Sequence, residues 1–578
     1  MGTNGATSGD TVSIALVGSG GDGIMIAGDM VLRAAAEGGW FGLITRSVGP
    51  QIRGGESLAF LNLSNRPIET QNDRLDVLLA LDWQSVLRFT EELPIDGNTF
   101  IIGNSATGEA PETIRDTGAR IESLNFAEVV KPVPGGRANT AAVGAVAKLV
   151  GISPENVNTA MEQLFGSKGA KVVESSVGTA EAGAAAVQDL DAGAKLPAPN
   201  DDVPARWMIN GNDAVGLGAL KGGVRFVAAY PITPATEVLE WMAPNLTKVG
   251  GVLVQAEDEL ASINMAIGAS YGGTPSLTAT SGPGLALMVE GIGLAITAEV
   301  PVVVVDVMRG APSTGIPTKS EQSDLNIAIY GISGDAPHVV VAPNSIADCM
   351  FTTQWAVHLA EAMQTAAIVL SDQQMGQSRA IVAKPAEVAL DHERQVAVPG
   401  EDYSRYVVTE SGVSPMALPG TPGGQYTADG LEHNPHGTPS SSATDHTLQL
   451  DKRLRKIADF DYGDYWAEID GAGDIVVVTV GSTTGPVVEA ARRLDPERER
   501  IKVVSLRLLA PAQPERLIAA LEGANRVLVV EQNHGAQLYH YLRSHYGLDD
   551  GAEAYFRPGP LPFRPNEIQA KMEGLMAS

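Results

Sequence analysis

Short apolar runs that end in polar or glycine-rich loops are the dominant pattern of this chain. The run Thr11–Val17 ends in the glycine-rich stretch Gly18–Gly23, and a helical pattern follows over Ile24–Gly38. Strand, loop and helix in this order are typical of the beginning of a parallel α/β domain. The runs between residues 225 and 370 are apolar throughout, as in strands covered by helices on both faces. Later strands are predicted at Val77–Leu81, Phe100–Ile102, Arg225–Tyr230, Gly251–Gln255, Ser276–Thr280, Val300–Asp306, Ala367–Leu370, Asp474–Val480, Lys502–Leu506 and Arg526–Val530.

Strand and helix patterns alternate throughout, so we predict an α/β protein with three parallel-sheet α/β domains. The first two are placed at residues 1–195 and 205–385. Between them Ala192–Pro204 has little apolar content and is interpreted as a linker. The third is placed at residues 461–578. The clearest helical patterns of the first domain are Ala141–Gly151, Asn156–Phe165 and Ala180–Leu190.

A long stretch without periodicity precedes the third domain. Glu401–Thr447 is rich in Gly, Pro, Ser and Thr, so we predict an irregular connection over residues 386–460. The basic cluster Lys452–Lys456 near its end is interpreted as a solvated helix end.

Composition and charge exclude several classes of protein. The 578 residues are 44% hydrophobic, and no apolar run reaches the ~18 residues expected of a transmembrane helix. The net charge of −28 argues against binding to nucleic acid or to an anionic membrane. Met1–Asp10 lacks the basic-then-apolar order of a signal peptide.

The chain has one cysteine, Cys349. This count excludes a disulfide framework, a cysteine zinc site and any iron–sulfur cluster bound wholly by this chain, and it favours the cytoplasm. Cys349 lies in the helical pattern Ser345–Phe351, so we interpret it as a small buried hydrophobe rather than a nucleophile.

Polar side chains gather where four predicted strands end, in Tyr230–Pro234, Gln255–Glu259, Thr278–Gly284 and Val307–Gly315. Open α/β sheets place ligands at the carboxyl ends of their strands. These segments supply an acid, a cation and several hydroxyls to one sheet edge, without a metal motif or a phosphate loop. We interpret this set as half of an active site.

Three acids crowd the end of one of these strands. Glu259 begins an apolar helix, so its carboxylate can meet an apolar site, although an acid that complements the helix dipole is the alternative. Glu257 and Asp258 are interpreted in that second way.

Arg309 follows the apolar strand of its segment. A cation at a strand's carboxyl end beside hydroxyls favours an anionic substrate, with an ion pair to Asp306 or Glu321 as the alternative.

Two loops of the first domain are suited to anions. Backbone N–H groups in Gly18–Gly23 can attract a phosphate, with a tight turn as the alternative. The loop departs from a dinucleotide fingerprint, since no acid ends a second strand about 20 residues later. Ser47–Gly55 contains Arg53 beside glycine amides, which suits a carboxylate or phosphate; a structural arginine is the alternative.

Seven motifs occur in order: Gly18–Gly23, Gly49–Gly55, Tyr230–Pro234, Gln255–Glu259, Thr280–Gly284, Met308–Gly315 and Thr318–Gln322. With them the chain resembles the α subunit of 2-oxoacid:ferredoxin oxidoreductases with a fused γ domain, most of all the 2-oxoglutarate type (2-oxoglutarate synthase). The resemblance covers nearly the whole chain. It identifies the first domain as the γ domain, the second as a thiamine diphosphate pyrimidine-binding domain and the third as transketolase C-terminal-like.

The resemblance implies thiamine diphosphate chemistry. Glu259 matches the glutamate that bonds N1′ of the aminopyrimidine, and Thr233 and Arg309 match the pair that holds the carboxylate of the 2-oxoacid. These three are the implied catalytic residues. The implied cofactor-binding residues are Tyr230, Pro231, Ile232, Thr233, Glu259, Ser281 and Gly282.

Coenzyme A binding is implied for the γ domain and nearby loops. Asp22 stands where many relatives carry Gln, and an acid there would repel a phosphate. Lys319 is a candidate for the distal carboxylate of the substrate, with a surface lysine as the alternative. The implied coenzyme A-binding residues are Ser19, Gly20, Gly21, Ser47, Arg53 and Gly54.

The magnesium–diphosphate motif is missing from the sequence. Gly21-Asp-Gly23 imitates its beginning, but the first downstream Asn is Asn62, too far along, so no metal site is expected here. The resemblance places the motif, Mg²⁺ and a 4Fe–4S cluster in a separate β subunit. It implies an (αβ)₂ heterotetramer with ferredoxin as electron partner, and no nucleic-acid or membrane partner.

The implied reaction converts 2-oxoglutarate, coenzyme A and oxidised ferredoxin reversibly into succinyl-CoA, CO₂ and reduced ferredoxin. Carboxylation, the direction of the reductive tricarboxylic acid cycle, would use the same site. One alternative keeps the mechanism and changes the substrate to pyruvate or a branched-chain 2-oxoacid. Another is a self-sufficient transketolase-like or nucleotide-binding protein, which would need a magnesium motif in this chain.

Overall fold

The computed structural model describes residues 10–49, 55–199, 205–390, 393–398 and 403–577. The chain divides into two compact units, one formed by residues up to Asn210 with 378–386 and 563–570, the other by the remaining residues. The strands are β1 (Thr11–Gly18), β2 (Phe41–Val48), β3 (Ser57–Ser64), β4 (Val77–Ala80), β5 (Phe100–Asn104), β6 (Arg120–Leu124), β7 (Arg206–Asn210), β8 (Phe226–Ala229), β9 (Val252–Gln255), β10 (Ser276–Thr280), β11 (Val302–Met308), β12 (Val339–Val341), β13 (Ala366–Asp372), β14 (Arg379–Ala383), β15 (Ala467–Asp470), β16 (Ile475–Val480), β17 (Ile501–Leu506), β18 (Leu508–Ala510), β19 (Arg526–Glu531) and β20 (Glu553–Phe556).

Helices connect most of these strands. They are α1 (Ile24–Glu37), α2 (Trp83–Arg88), α3 (Glu112–Arg115), α4 (Phe126–Val130), α5 (Ala138–Val150), α6 (Pro154–Phe165), α7 (Ala170–Ala185), α8 (Gly211–Lys221), α9 (Thr236–Leu246), α10 (Glu259–Tyr271), α11 (Gly282–Thr297), α12 (Leu325–Tyr330), α13 (Asp348–Met363), α14 (Gln373–Gln377), α15 (Ala443–Ala458), α16 (Thr484–Leu494), α17 (Pro514–Ala520), α18 (Gln537–His545) and α19 (Pro565–Ala577).

The strands form three sheets, which confirms the predicted α/β class with three sheets. The sheet of the first unit has eight strands in the order β6-β5-β4-β1-β3-β2-β14-β7. Apolar side chains of β1, α1 and α5 are fully buried in its core, among them Leu16, Met30 and Val146.

Antiparallel pairs make this first sheet mixed rather than wholly parallel. β2 pairs antiparallel with β3 from Phe41↔Ser64 to Val48↔Ser57. Only eight residues join these two strands, and a parallel pair needs a crossover of a dozen or more. The short strands β7 and β14 also add to this sheet, although both fall within the range 205–385 predicted for the second domain. The division into domains itself stays a prediction.

The second unit contains a seven-stranded sheet in the order β18-β12-β13-β11-β10-β8-β9. Its strands from β12 to β9 are parallel, with Thr280 opposite Asp306 and Met308 opposite Asp372. The strands β10, β11 and β13 are buried along their whole length, as expected of strands covered by helices on both faces. Their carboxyl ends therefore meet along one edge.

A five-stranded sheet of the same unit has the order β15-β17-β16-β19-β20. The motif Thr318–Gln322 packs against the turns that follow two of its strands. The Gln322 side chain donates to the carbonyl of Val480 at 2.7 Å and accepts from the Gln532 backbone N–H at 2.8 Å. This motif thus ties the two sheets together.

The long connection ends in α15, and the interpretation of its basic cluster as solvated is wrong. Lys452 and Lys456 are buried, and their ammonium groups lie 2.6 and 2.9 Å from the two carboxylate oxygens of Glu299, which is also fully buried. Arg405 donates to the Glu299 carbonyl at 2.7 Å. Composition alone hides this arrangement, because the acid lies about 150 residues before the lysines.

Two smaller observations complete the fold. Cys349 is a free, fully buried thiol inside α13, as predicted, and burial raises its pKa well above the usual range. None of the helices that the structure describes is both long and apolar enough to span a membrane.

Candidate functional site

Four neighbouring strands deliver the predicted side chains to one edge of the seven-stranded sheet. β11, β10, β8 and β9 lie side by side and run parallel. Arg309 follows β11, Ser281 follows β10, Tyr230 follows β8, and Glu259 begins the helix after β9. The sequence predicted this gathering, because carboxyl ends of parallel strands share an edge.

Glu259 is the first residue of α10, and only 6% of it is exposed. A Cβ built at Gly284, in the first turn of α11, would lie 2.7 Å from Glu259 Cγ and 2.8 Å from its Oε1. A glycine is therefore needed where α11 passes this carboxyl. A buried carboxyl at a sheet edge is suited to holding a polar group of a ligand rather than a surface cation.

The neighbouring acids behave as helix-start residues. Asp258 is exposed and caps α10, since its side chain accepts from the backbone N–H of Ala261 at 2.7 Å. Glu257 is exposed as well. The burial of Glu259 alone among the three sets it apart.

Arg309 and Thr233 lie together. Arg309 Nη1 donates to the Thr233 carbonyl at 2.6 Å, and the guanidinium is almost fully buried. It forms no ion pair with Asp306 or Glu321 within the described residues, so that alternative is not observed. Its Nε has no hydrogen-bond partner. The guanidinium is thus anchored by one nitrogen and keeps other donors for an anion.

The remaining predicted cofactor residues line the same edge. Tyr230 is 40% exposed, and Ile232 accepts a hydrogen bond from the Thr236 backbone N–H that begins α9. Ser281 is fully buried, yet its Oγ has no hydrogen-bond partner. A buried hydroxyl without a partner is uncommon and is suited to meeting a ligand atom. Pro231 and Gly282 are half-buried beside them.

Two buried acids near Arg309 were not among the predicted site residues. Asp306 lies on β11 and is fully buried, and Asp324 directly precedes α12. Burial and the nearby Asp324 raise the pKa of Asp306 well above the usual range, and burial raises the pKa of Asp324 to about 6. An acid inside the apolar run Val302–Met308 was the one sequence signal for this pair. The approach of Asp324 depends on the path of the intervening loop.

Lys319 lies in the segment that follows the site strands. Its backbone N–H donates to the Ile316 carbonyl and its carbonyl accepts from Gly310, which closes the loop after Arg309. The side chain is half-buried rather than on the open surface. A contact to a substrate's distal carboxylate stays a prediction.

In the glycine-rich loop of the first unit, hydrogen-bond donors of the loop are taken up by an acid of the same loop. The Asp22 carboxylate accepts from the Ser19 backbone N–H at 2.7 Å and from the Ser19 hydroxyl at 2.9 Å. Gly20 and Gly21 are exposed at its tip. Asp22 therefore occupies donors that a phosphate would need, which strengthens the expectation that this loop is a poor phosphate site.

The second predicted anion-binding loop is described only at its ends. Ser47 is buried, and its hydroxyl donates to Glu92 Oε1 at 3.1 Å. Arg53 and Gly54 lie outside the described residues. The described residues contain no group of three or more His, Cys, Asp or Glu side chains placed to hold a metal ion.

Family models match three segments of the chain. Residues 13–186 match "Pyruvate ferredoxin/flavodoxin oxidoreductase", residues 217–452 match "Pyruvate flavodoxin/ferredoxin oxidoreductase, thiamine diP-bdg", and residues 464–549 match "Transketolase, C-terminal domain". The matched segment 217–452 contains all three predicted catalytic residues.

Curated proteins and a solved structure are similar along most of the chain. The 2-oxoglutarate synthase subunit KorA of Methanothermobacter marburgensis is 35% identical over 64% of this chain and 99% of its own length. The 2-oxoglutarate oxidoreductase subunit KorA of Mycobacterium tuberculosis is 32% identical over 93% and 88%. A structure of 2-oxoglutarate:ferredoxin oxidoreductase from Magnetococcus marinus, with 2-oxoglutarate, coenzyme A and succinyl-CoA bound, is 35% identical and has a TM-score of 0.90 over 98% of this chain and 99% of that one.

Proposed function

The chain belongs to the α-subunit family of the 2-oxoacid:ferredoxin oxidoreductases, and from this premise we propose that it is the α/γ-fused subunit of a 2-oxoglutarate:ferredoxin oxidoreductase. The enzyme would convert 2-oxoglutarate, coenzyme A and two oxidised ferredoxins into succinyl-CoA, CO₂, two reduced ferredoxins and a proton, reversibly. The observation that carries the proposal is the pairing of Arg309 with Thr233 at the sheet edge that also carries the buried Glu259, in a chain that shares its fold with the Magnetococcus enzyme.

The residues at the sheet edge fit the pyrimidine half of thiamine diphosphate. Glu259 offers a buried carboxyl, Gly284 leaves room beside it, and Ser281 offers a buried hydroxyl without a protein partner. When bound, the cofactor supplies the nucleophilic carbon that adds to the 2-oxo group and takes up the electron pair that CO₂ leaves behind. Glu259 would hold a proton between its carboxyl and the pyrimidine N1′, which is acid–base work that a water-excluded carboxyl performs well.

Arg309 and Thr233 would orient the 2-oxoacid. The guanidinium can bind the carboxylate that becomes CO₂, while its bond to the Thr233 carbonyl fixes its position. Because this carboxylate loses its charge as CO₂ leaves, accurate placement serves the reaction better than tight binding. Tyr230, Pro231, Ile232 and Gly282 would shape the pocket around the two groups.

Other residues are proposed to bind coenzyme A and the distal carboxylate of the substrate. Ser19, Gly20, Gly21 and Ser47 remain candidates for coenzyme A together with Arg53 and Gly54, although Asp22 already engages Ser19. Lys319 remains the candidate for the distal carboxylate of 2-oxoglutarate.

The partner chain would complete the enzyme. A β subunit is proposed to supply the diphosphate site with Mg²⁺ and a 4Fe–4S cluster that passes electrons to ferredoxin, in an (αβ)₂ assembly. One cysteine in this chain cannot bind such a cluster alone. The cytoplasm stays the expected compartment, because a chain with one cysteine has no disulfide framework.

The test is an assay of the chain produced together with its β subunit. We expect coenzyme A-dependent reduction of ferredoxin or viologen by 2-oxoglutarate, and faster turnover with 2-oxoglutarate than with pyruvate or a branched-chain 2-oxoacid. Equal or faster turnover with those acids would assign the substrate differently and leave the mechanism in place.

Glu259→Gln tests the mechanism itself. We expect a loss of kcat of about 100-fold or more, because the amide cannot exchange a proton with the pyrimidine. Glu257→Gln, an exposed acid two residues earlier, is the matched control and should keep wild-type turnover. A fully active Glu259→Gln enzyme would remove Glu259 from the mechanism.

A further inference from the structure

Several buried polar atoms near Arg309 have no hydrogen-bond partner. Both carboxylate oxygens of Asp306, Oδ2 of Asp324 and Nε of Arg309 have no conventional hydrogen-bond partner. Such groups are rare in folded proteins because each costs free energy to bury. Their concentration at the edge that carries the proposed substrate site calls for a role.

The two acids lie against each other. Asp306 and Asp324 interact directly through their carboxyl groups, and a Cβ built at Gly282 would lie 2.7 Å from both carboxylate oxygens of Asp324. Two carboxyls in contact are stable when they share one proton, which then bridges them. The pair thus carries about one negative charge.

Arg309 lies in the field of this pair without forming a salt bridge to either acid. Its charge interacts with Asp306 and Asp324, yet neither carboxylate lies within ion-pair distance of the guanidinium. The Ser323 hydroxyl, next to Asp324, donates to the Arg309 carbonyl at 2.9 Å. The acid pair and Arg309 are therefore held together, while the guanidinium donors are not consumed.

We propose that Asp306 and Asp324 are positioning residues that act through Arg309 and weaken the hold of its guanidinium on the substrate's carboxylate, an inference that rests on the proposed function. An isolated buried arginine would bind the carboxylate tightly and oppose its departure as CO₂. A nearby negative charge weakens the attraction between the guanidinium and the carboxylate. Less binding free energy is then lost when the carboxylate leaves as CO₂.

The charged groups around Asp306 and Asp324 determine how this pair responds to pH. Arg309 and Glu321 are the other charged groups that act on Asp324, and Arg309 is the other one that acts on Asp306. On the neighbouring strand, Asp372 is bonded to the Ser320 hydroxyl and to the Met375 backbone N–H. Burial raises the pKa of Asp324 to about 6, so its charge is lost as the pH falls through about 6.

The test measures KM for 2-oxoglutarate and kcat of the complete α–β enzyme with Asp324→Asn. Removing the negative charge should strengthen ground-state binding, so KM and kcat should both fall, each about three- to tenfold. In the wild type both constants should fall together below about pH 6, and in the variant they should stay level there. An unchanged or raised KM in the variant, whatever the change in kcat, would contradict the proposal.

Asp306→Asn is the conservative variant. Its amide still donates a hydrogen bond towards Asp324, so both constants should stay within about threefold of the wild type. Asp76→Asn is the control for burial alone, because burial also raises the pKa of this acid, which lies in the first compact unit. It should leave KM and its pH dependence unchanged.

Unfolding gives a readout that does not need activity. The folded state holds the Asp324 proton more tightly than the unfolded chain, so wild-type stability falls as the pH rises from about 4 to about 6. Relative to the wild type, Asp324→Asn should gain stability over that range. A wild-type complex that oxidises no 2-oxoacid would count against the proposed function, whereas an active wild type with an unchanged or raised KM in Asp324→Asn would overturn this inference alone.

Discussion

At the scale of single residues, side chains at strand ends could be predicted from the sequence and their longer-range partners could not. Arg309 directly follows an apolar run, Thr233 lies in the loop after one, and Glu259 begins an apolar helix. The parallel sheet brings these positions to one edge. Asp324 was not predicted, because its contact with Asp306 depends on a loop path that no local pattern encodes.

Arg309→Lys is predicted to impair the orientation of the substrate. An ammonium group cannot both bond the Thr233 carbonyl and present a planar pair of donors to a carboxylate. We expect kcat/KM for 2-oxoglutarate to fall about 100-fold, as misplaced reacting groups typically cause. Steady-state kinetics of the α–β complex measure this.

Arg225→Lys provides the matched control. Arg225 also donates to backbone carbonyls, those of Leu220 and Val224, but it precedes β8 at the opposite end of that strand from Tyr230. Its replacement should leave kcat/KM unchanged. Wild-type kinetics for Arg309→Lys would show that the guanidinium does not orient the substrate.

At the scale of secondary-structure elements, most strands of the central parallel runs were predictable, and several strands that pair antiparallel were not. The runs that became β10, β11 and β16 were placed within one or two residues. The strands β2 and β3, with polar residues such as Arg46 and Asn62, and the short strands β7 and β14 were not predicted. Each of these gains its place from a partner strand rather than from its own pattern.

The helix α15 gives the sharpest failure of sequence reasoning and a prediction of its own. Its lysines face Glu299, whose pKa stays far below the usual range because the charges of Lys456, Lys452 and Arg405 outweigh the opposing effect of burial. Glu299→Gln would leave two buried ammonium groups without a counter-charge. We expect a loss of about 3–5 kcal/mol of unfolding free energy, measured by urea denaturation at pH 7.

The sign of the pH dependence follows from the same contact. The stability that Glu299 contributes is present above its unfolded pKa, near the ordinary value of 4.5, and is lost as the pH falls below it. Glu290→Gln, an exposed acid on α11, is the control and should change the unfolding free energy by about 0.5 kcal/mol or less. An equally small effect of Glu299→Gln would contradict a stabilising role for the cluster.

At the scale of the whole molecule, the sequence predicted an incomplete enzyme, because residues that the reaction needs are missing from it. Three α/β sheets were predicted and are present, and the family of the chain was recognisable from motifs in order. The single cysteine and the missing magnesium motif pointed to a second chain. The strand order of each sheet could not be predicted, because it depends on which distant runs pair.

Partner dependence yields the last prediction. Glu259, Ser281 and Gly284 are proposed to meet one half of thiamine diphosphate, and this sequence has no motif for the Mg²⁺–diphosphate half. The chain alone should therefore bind Mg²⁺–thiamine diphosphate at least about 100-fold more weakly than the α–β complex, which corresponds to about 2.7 kcal/mol. Equilibrium dialysis of both preparations measures the difference.

Glu257→Gln should not change either affinity, while Glu259→Gln should weaken binding in the complex. Equally tight binding by the chain alone would instead favour a self-sufficient thiamine diphosphate protein, because the whole site would then lie within these 578 residues.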